Sequence, residues 1–227
     1  MRRKLGTIIG ICGICGALAI GGASAYLTGH DTQKNTFTVG EVTIDLEEPE
    51  WDKLPDEDDD GVPDECEDLY ATQTVKKDPQ VTNTGNNPAW IYLQVEVPCA
   101  NVITADADGN RLNEGQPTKT QLFTYDINSD WELIGELSTE ADKNTYLYAT
   151  KQTIAPGAKT STLFDSVTFA NIVEGQIPSG TIEEININAY AIQEGNTGSN
   201  KEAWNKYSNQ ATGDAESSII IGQVNIE

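Results

Sequence analysis

The stretch Trp90-Ile91-Tyr92-Leu93-Gln94-Val95-Glu96-Val97-Pro98 decides the fold class. Ile91, Leu93, Val95 and Val97 alternate with Trp90, Tyr92, Gln94 and Glu96. Successive side chains of an extended chain point to opposite faces, so this period of two puts the four aliphatic residues on one face. β-Branched and aromatic residues suit a pleated surface. Proline has no N–H to give a ladder, so Pro98 is expected to close the strand. The expectation is a half-buried strand, with the face carrying Trp90 and Tyr92 exposed.

The same pattern recurs on both sides of it. In "NTFTVGEVTIDLEEP" (35–49), Phe37 and Val39, then Val42, Ile44 and Leu46, alternate with polar residues, and Gly40 falls where the phase shifts, as in a β-bulge. "DPQVTNTGNNPAW" reads as a strand running into an Asn/Gly turn. "QLFTYDI", "DWELIG", "NTYLYATKQTI", "STLFDSVTF" and "EEININAYAIQ" are further strand-like runs separated by turn residues, and the β-branched run "SSIIIGQVNIE" reads as a last strand. Many short alternating strands with Gly/Pro/Asn-rich turns predict an all-β antiparallel sandwich or barrel. One segment reads as helix: "SNKEAWNKYSNQA", with Ser199 or Asn200 as N-cap and Ala203, Trp204 and Tyr207 on one side.

The N-terminus sets the compartment. Met1-Arg2-Arg3-Lys4 is basic, "LGTIIGICGICGALAIGG" is apolar, and Ala23-Ser24-Ala25 places small residues where a signal peptidase needs them. This is the pattern of a secretory signal peptide over 1–25, cleaved after Ala25. Cys12 and Cys15 lie inside the apolar run without a leucine three residues before them, so a lipid-modified cysteine is not expected. Removal of 1–25 takes three basic residues and no acid, leaving 11 basic against 36 acidic groups, a net −25 against −22 for the whole chain. That sign excludes nucleic acid and anionic lipid as electrostatic partners. A secreted location, in the matrix or at the cell surface, follows. The division is then a signal peptide (1–25), a mobile leader (26–36) and a β-sandwich domain (37–227).

Two cysteines survive processing, Cys66 and Cys99. In an oxidising compartment an isolated pair is expected to form a disulfide, here Cys66–Cys99.

The run "DEDDDGVPDECED" (56–68) reads as a calcium loop. Asp56, Asp58 and Asp60 stand at positions 1, 3 and 5, Gly61 at the sharp turn, the Val62 carbonyl at 7, Asp64 at 9 and Glu67 at 12. Hard oxygen donors at that spacing wrap one Ca²⁺. Pro55 and Pro63 argue against the flanking helices of an EF-hand. "DDDGVPDECE" instead resembles the thrombospondin type-3 style of calcium repeat. The shorter cluster Asp106-Ala107-Asp108-Gly109-Asn110 is expected to be a β-turn.

Several segments together, "GGASAYLTGHDTQKNTFTVGEVTIDLEEPEWD", "KKDPQVTNTGNNPAWIYLQVEVP", "ANVITADADG", "LFTYDINSDWELIGE" and "LFDSVTFANIVEGQ" with "ININAYAIQ", resemble the TasA/camelysin family of exported Gram-positive proteins. The resemblance implies a jelly-roll-like β-sandwich, processing by a signal peptidase of the SipW type, and a role as a fibre subunit of the biofilm matrix. It also implies that the N-terminus freed by cleavage joins the next subunit's sheet, which puts Tyr26 and Leu27 at an assembly contact. The acidic run Pro55–Asp68 is an insertion relative to the family pattern, and the resemblance does not account for it.

Some relatives are labelled metallo-endopeptidases, an alternative for this chain. Catalytic zinc sites use two or more histidines as a rule, and the sequence holds one, His30, so no enzymatic activity is expected. A third reading is a calcium-stabilised adhesin, with Trp90, Tyr92 and Trp131 stacking on sugars. The expected partners are itself or a related fibre subunit, with no small-molecule substrate and structural Ca²⁺ as the cofactor.

Overall fold

The computed structural model of the protein describes residues 41–137, 142–178, 181, 183–195 and 197–210. All of these belong to one compact unit spanning Val39–Glu227. The expected signal peptide, the leader with Tyr26, Leu27 and His30, Phe37, Val39 and Gly40 of the first strand, and the C-terminal run 217–227 lie outside the described residues.

The Trp90 stretch forms the centre of the longest strand. The strands are β1 (Ile44–Glu47), β2 (Thr74–Lys76), β3 (Gln80–Asn83), β4 (Ala89–Val102), β5 (Thr118–Gln121), β6 (Phe123–Thr124), β7 (Trp131–Leu137), β8 (Lys143–Thr150), β9 (Ser166–Phe169) and β10 (Asn186–Gln193), followed by helix α1 (Asn200–Gln210). The main sheet has the order β10-β4-β8-β7, with β5 attached to the far part of β4; β1-β3 and β2-β9-β6 form two smaller sheets. Every pairing between these strands is antiparallel.

Pro98 does not close β4. It lies inside the strand, opposite Lys143 of β8, and β5 takes over from Cys99 onward. The Pro98 carbonyl still accepts a hydrogen bond, from the Leu122 N–H at 2.9 Å. The missing N–H therefore marks the exchange of partner strand rather than an end.

The aliphatic face behaves as the alternation requires. Ile91, Leu93, Val95 and Val97 are wholly buried and pack with Val75 and Val167 from the small β2-β9-β6 sheet, Val81 from β3, and Leu122 and Phe164 from the connections. Each such side chain contributes about 1.5–3 kcal/mol on burial.

The other face departs from the sequence reading, because it is covered as well. Tyr92 is 0% exposed and Gln94 5%. Tyr92 packs with Ile134, Leu147, Ala149 and Trp204 in a second cluster, its ring 4.8 Å from that of Trp204. Trp204 belongs to α1, so the helix turns a half-buried strand into one buried on both faces. Trp131 is buried too, its indole N–H donating to the Ser161 carbonyl at 3.2 Å, and Trp90 is half-buried with its N–H on Thr197 Oγ1. The three aromatics pack and hydrogen-bond within the protein; they do not form a sugar platform.

Local chemistry fixes where α1 begins. Ser199 Oγ accepts the Glu202 N–H at 3.2 Å, and the Glu202 carboxylate accepts the Gly198 N–H at 2.9 Å, a reciprocal cap close to the Ser-x-x-Glu box. Of the two candidate caps, Ser199 is therefore the one used. Asn200 instead docks the helix: its side-chain amide donates to the Thr150 carbonyl at 2.9 Å and to Glu132 Oε1 at 2.7 Å, while its main-chain carbonyl accepts the Tyr92 hydroxyl at 2.7 Å.

The expected Asn/Gly turn follows β3. The Thr84 and Gly85 N–H groups both donate to the Thr43 carbonyl. A Cβ on Gly85 would stand 2.6 Å from the Glu41 carbonyl, so only glycine fits this approach of two chains.

Candidate metal centre

The acidic run lies in the connection between β1 and β2, which is pinned at both ends. At its start, Glu48 pairs with Lys77 at 2.9 Å, and a 3-10 turn over Trp51–Lys53 follows. Asp78 holds the beginning of that turn: its carboxylate accepts the Glu50 N–H at 3.0 Å and the Trp51 N–H at 3.2 Å. The Lys77 ammonium stands 4.5 Å from the centre of the Trp51 ring. Lys77 and Asp78 are only 8% and 6% exposed. Burial at that level requires charged groups to be satisfied, and here each finds an ion, ring or amide partner.

At the far end, the Gln73 side chain spans the return. Its amide donates to the Glu65 carbonyl at 3.0 Å and its oxygen accepts the Tyr70 N–H at 3.2 Å. The Gln73 carbonyl accepts the Phe169 N–H at 2.8 Å, which ties this end to β9. Pro63 is buried and Cys66 packs against the main core. The charged residues between these anchors therefore have limited room to spread.

Between the anchors, carboxylate oxygens of Asp56, Asp58 and Asp60 lie within 4.8 Å of one another. Asp56 is half-buried; Asp58 and Asp60 are exposed. Gly61 has φ +91 with open space around it, the left-handed turn expected at position 6. The loop amides fold onto the same side chains: Gly61 N–H donates to Asp56 Oδ2 at 3.1 Å and Val62 N–H to Asp60 Oδ1 at 2.8 Å. Asp56 Oδ1 is enclosed and has no hydrogen-bond partner.

The remaining candidate ligands stand differently. Asp64 Oδ1 accepts the Glu57 N–H at 2.9 Å, bracing the loop across its width. Glu67 belongs to the same field: partial desolvation, then the charges of Asp58, Asp60, Asp64 and Asp68, raise its pKa. Like charges this close repel, and solvent screens part of that repulsion. A divalent cation among these oxygens reverses the sign of that term.

The second acidic cluster is the β-turn that its spacing predicts. Gly109 N–H donates to the Asp106 carbonyl at 3.1 Å, and Gly109 has φ +84. Asp106 Oδ1 accepts the Asp108 and Asn110 N–H groups at 2.9 and 2.8 Å, and Oδ2 accepts the Asn110 amide at 3.1 Å. These donors, led by the Asn110 side chain, hold the Asp106 carboxyl below its usual range. Its oxygens already have donors, which Asp56 Oδ1 lacks.

The expected Cys66–Cys99 bridge is not made in this structure; both thiols are free. Their surroundings differ. Cys66 sits in the field of Glu65 and Lys77, and Cys99 lies on β4 beside Lys119, Asp142 and Asn144, its Sγ 3.8 Å from the Val97 carbonyl. Burial pushes the Cys66 thiol up to about 11 and the Cys99 thiol up as well.

A shallow depression of about 590 Å³ lies elsewhere, lined by Asn87, Gln193, Glu194 and Thr197 among others, and includes none of the expected site residues. No helix among the described residues is long and apolar enough to cross a membrane. Sequence reasoning missed Lys77, Asp78 and Gln73, which hold the acidic loop in place. The one signal was "KKDP" (76–79), two lysines and an aspartate ahead of a proline at a strand start. The chain matches no protein-family model, no curated protein and no solved structure.

Proposed function

We propose that this chain is a secreted structural subunit of extracellular, biofilm-matrix-type filaments, of the TasA/camelysin kind, whose fold is stabilised by Ca²⁺. The observation that carries the calcium part is the convergence of Asp56, Asp58 and Asp60 to within 4.8 Å beside a left-handed Gly61. A Ca²⁺ about 2.4 Å from each donor holds its oxygens no more than about 4.8 Å apart. Asp56 Oδ1, enclosed and without a donor, is the oxygen most in need of a cation. In this reading the Val62 carbonyl, Asp64 and Glu67 complete the shell, Asp64 exchanging its bond to the Glu57 amide for the metal.

The assembly part rests on the sequence resemblance and on the antiparallel architecture. Antiparallel strands in three sheets, most of them packed on one core, are compatible with a jelly-roll-like sandwich, and the edges of such sheets are templates for a strand from another subunit. The segment freed by cleavage after Ala25, with Tyr26 and Leu27 at its tip, is the donor strand in this proposal, and a SipW-type signal peptidase is the enzyme that frees it. At −25 the mature subunits repel; the Debye length is about 8 Å at physiological salt, so salt, acid or calcium promotes their contact. The proposal includes no catalytic activity of the chain's own.

Electron microscopy of two proteins, one starting at Tyr26 and one at Asn35, tests assembly. Filaments from the first alone are the expected result. Equal polymerisation of both removes the donor-strand reading, and filaments from neither, with glycan or host-protein binding by both, replaces it with an adhesin.

A further inference from the structure

The acidic connection is held at its far end by a side chain that carries no charge. Gln73 lies directly before β2, and its main chain is fixed to β9. Its carbonyl accepts the Phe169 N–H at 2.8 Å, and the N–H of the neighbouring Thr72 donates to the Phe169 carbonyl at 3.1 Å. From that fixed point the side chain reaches back eight positions to donate to the Glu65 carbonyl at 3.0 Å. The oxygen of the same carboxamide accepts the Tyr70 N–H at 3.2 Å, and the Gln73 N–H donates to the Tyr70 carbonyl at 3.0 Å. Donor and acceptor of one amide thus both serve main-chain groups of the connection.

The return that Gln73 closes is strained. Asp68 has φ +45 and Thr72 φ +67. The left-handed region is uncommon for any residue with a Cβ, and a β-branched residue such as Thr72 is an outlier there. Backbone of this kind persists where its surroundings over-determine it. Between these two residues, Tyr70 is fixed at both its N–H and its carbonyl by Gln73.

The other contact of Gln73 falls among the expected calcium ligands. Glu65 is the middle residue of the 3-10 turn Asp64–Cys66, in which the Cys66 N–H donates to the Pro63 carbonyl at 2.7 Å. Asp64 precedes it by one residue and Glu67 follows it by two. Holding the Glu65 carbonyl therefore sets the direction in which the chain leaves toward Glu67. Glu67 stands in the field of Asp58, Asp60 and Asp64. Across the loop, Asp56 Oδ1 is enclosed and has no hydrogen-bond partner, which points to a cation independently of the number of acids.

We propose that Gln73, which hydrogen-bonds to none of the expected ligands, is a positioning residue for the calcium site. It presents the closing arm Asp64–Glu67 to Asp56, Asp58 and Asp60 before a cation arrives. The inference rests on the calcium reading given above. An arm already in place need not be ordered at the moment of binding, so the cation is held more tightly. Removing an outer partner that orients metal ligands costs on the order of 10- to 100-fold in affinity.

Calcium titrations of the full-length protein test it, with Ca²⁺ alone as the probe, on wild type, Gln73→Met, Gln73→Asn and Asn200→Ala. Methionine keeps the length of the side chain without its hydrogen bonds. Asparagine, one methylene shorter, carries the test should the methionine variant fail to fold. Asn200→Ala loosens the fold at α1, away from the loop, and serves as the control for general destabilisation. Both Gln73 variants should bind calcium on the order of tenfold more weakly, and Asn200→Ala should bind it as wild type does. Equal affinities of wild type and the Gln73 variants overturn the inference and leave the calcium site standing. An equal loss in Asn200→Ala overturns it too, because the effect would then be one of overall stability. No binding by wild type removes the calcium reading itself, and this inference with it.

Discussion

The buried carboxylate of Asp78 accepts the main-chain N–H of Trp51 at 3.2 Å across 27 positions of sequence. Asp78 also takes the Glu50 N–H, and its neighbour Lys77 lies over the Trp51 ring while pairing with Glu48. Replacing Asp78 by alanine leaves the Glu50 and Trp51 amides without their acceptor. A loss of roughly 1–3 kcal/mol is expected, read as a lower urea midpoint with little change in slope. Asp78→Asn keeps one acceptor oxygen and should recover part of the loss.

Helix α1 supplies the second prediction. Asn200 is 4% exposed; its side-chain amide donates to Thr150 and Glu132, and its main-chain carbonyl accepts the Tyr92 hydroxyl. Asn200→Ala strands the Thr150 carbonyl and should cost about 1–3 kcal/mol; Tyr92→Phe removes one hydroxyl bond and should cost about 1 kcal/mol. The two sites touch, so the double variant should lose less than the sum of the two. Thermal unfolding of the four proteins checks both statements.

These two sites also mark the boundary of what the sequence makes legible. The alternation of Ile91, Leu93, Val95 and Val97 is local, and it identifies the inner face of β4 correctly. The helical segment and its Ser199 cap are equally local. The coverage of Tyr92 by Trp204 depends on where α1 lands, more than a hundred positions later, and no period in either segment encodes that. Thr74–Lys76 is too short to show alternation, and in "STLFDSVTF" only Ser166–Phe169 is strand. In the acidic run, the spacing of Asp56, Asp58, Asp60 and Gly61 reports the turn because those residues interact with their immediate neighbours. The use of Asp64 to brace Glu57 and the clamps from Asp78 and Gln73 are long-range, and they become visible only in three dimensions.

The cysteines give a pH prediction. The folded Cys66 thiol is raised from about 9 to about 11 by burial, with Glu65 adding to the shift. A raised folded pKa means that the native state holds the proton more tightly than the unfolded chain. The stabilisation is therefore complete below about pH 9 and is lost as pH rises through about 11. Alkylation of native protein at pH 8 should be slow and should accelerate steeply toward pH 11, whereas urea-unfolded protein should react fast at pH 8. Mass spectrometry of the alkylated chain reads both. Failure of Cys66 and Cys99 to react even after unfolding without reductant would mean that they are bridged to each other or to another thiol.

Of the two acidic clusters, the run 56–67 should respond to calcium and the Asp106 turn should not. Asp106 already receives N–H donors from its own turn, whereas Asp56 Oδ1 has none and Glu67 is raised by desolvation and by the acids around it. With a cation absent, the raised pKa of Glu67 makes its contribution to stability largest below the unfolded carboxylate range and lost as pH rises through the folded value. Calcium acts at the upper end of that range, where Glu67 has given up its proton. Binding to the native state alone stabilises by RT ln(1 + [Ca²⁺]/Kd), about 2.7 kcal/mol at a hundredfold excess over Kd. At neutral pH the melting temperature should therefore rise in millimolar Ca²⁺ relative to chelator. At low pH the rise should shrink as Glu67, whose pKa is raised, takes up its proton. Asp58→Ala/Asp60→Ala should abolish the response, and Asp106→Ala should lower both melting temperatures while leaving their difference intact. Identical wild-type melts with Ca²⁺ and with chelator at neutral pH would show the run to be a solvated loop held only by Asp78, Gln73 and its own amides.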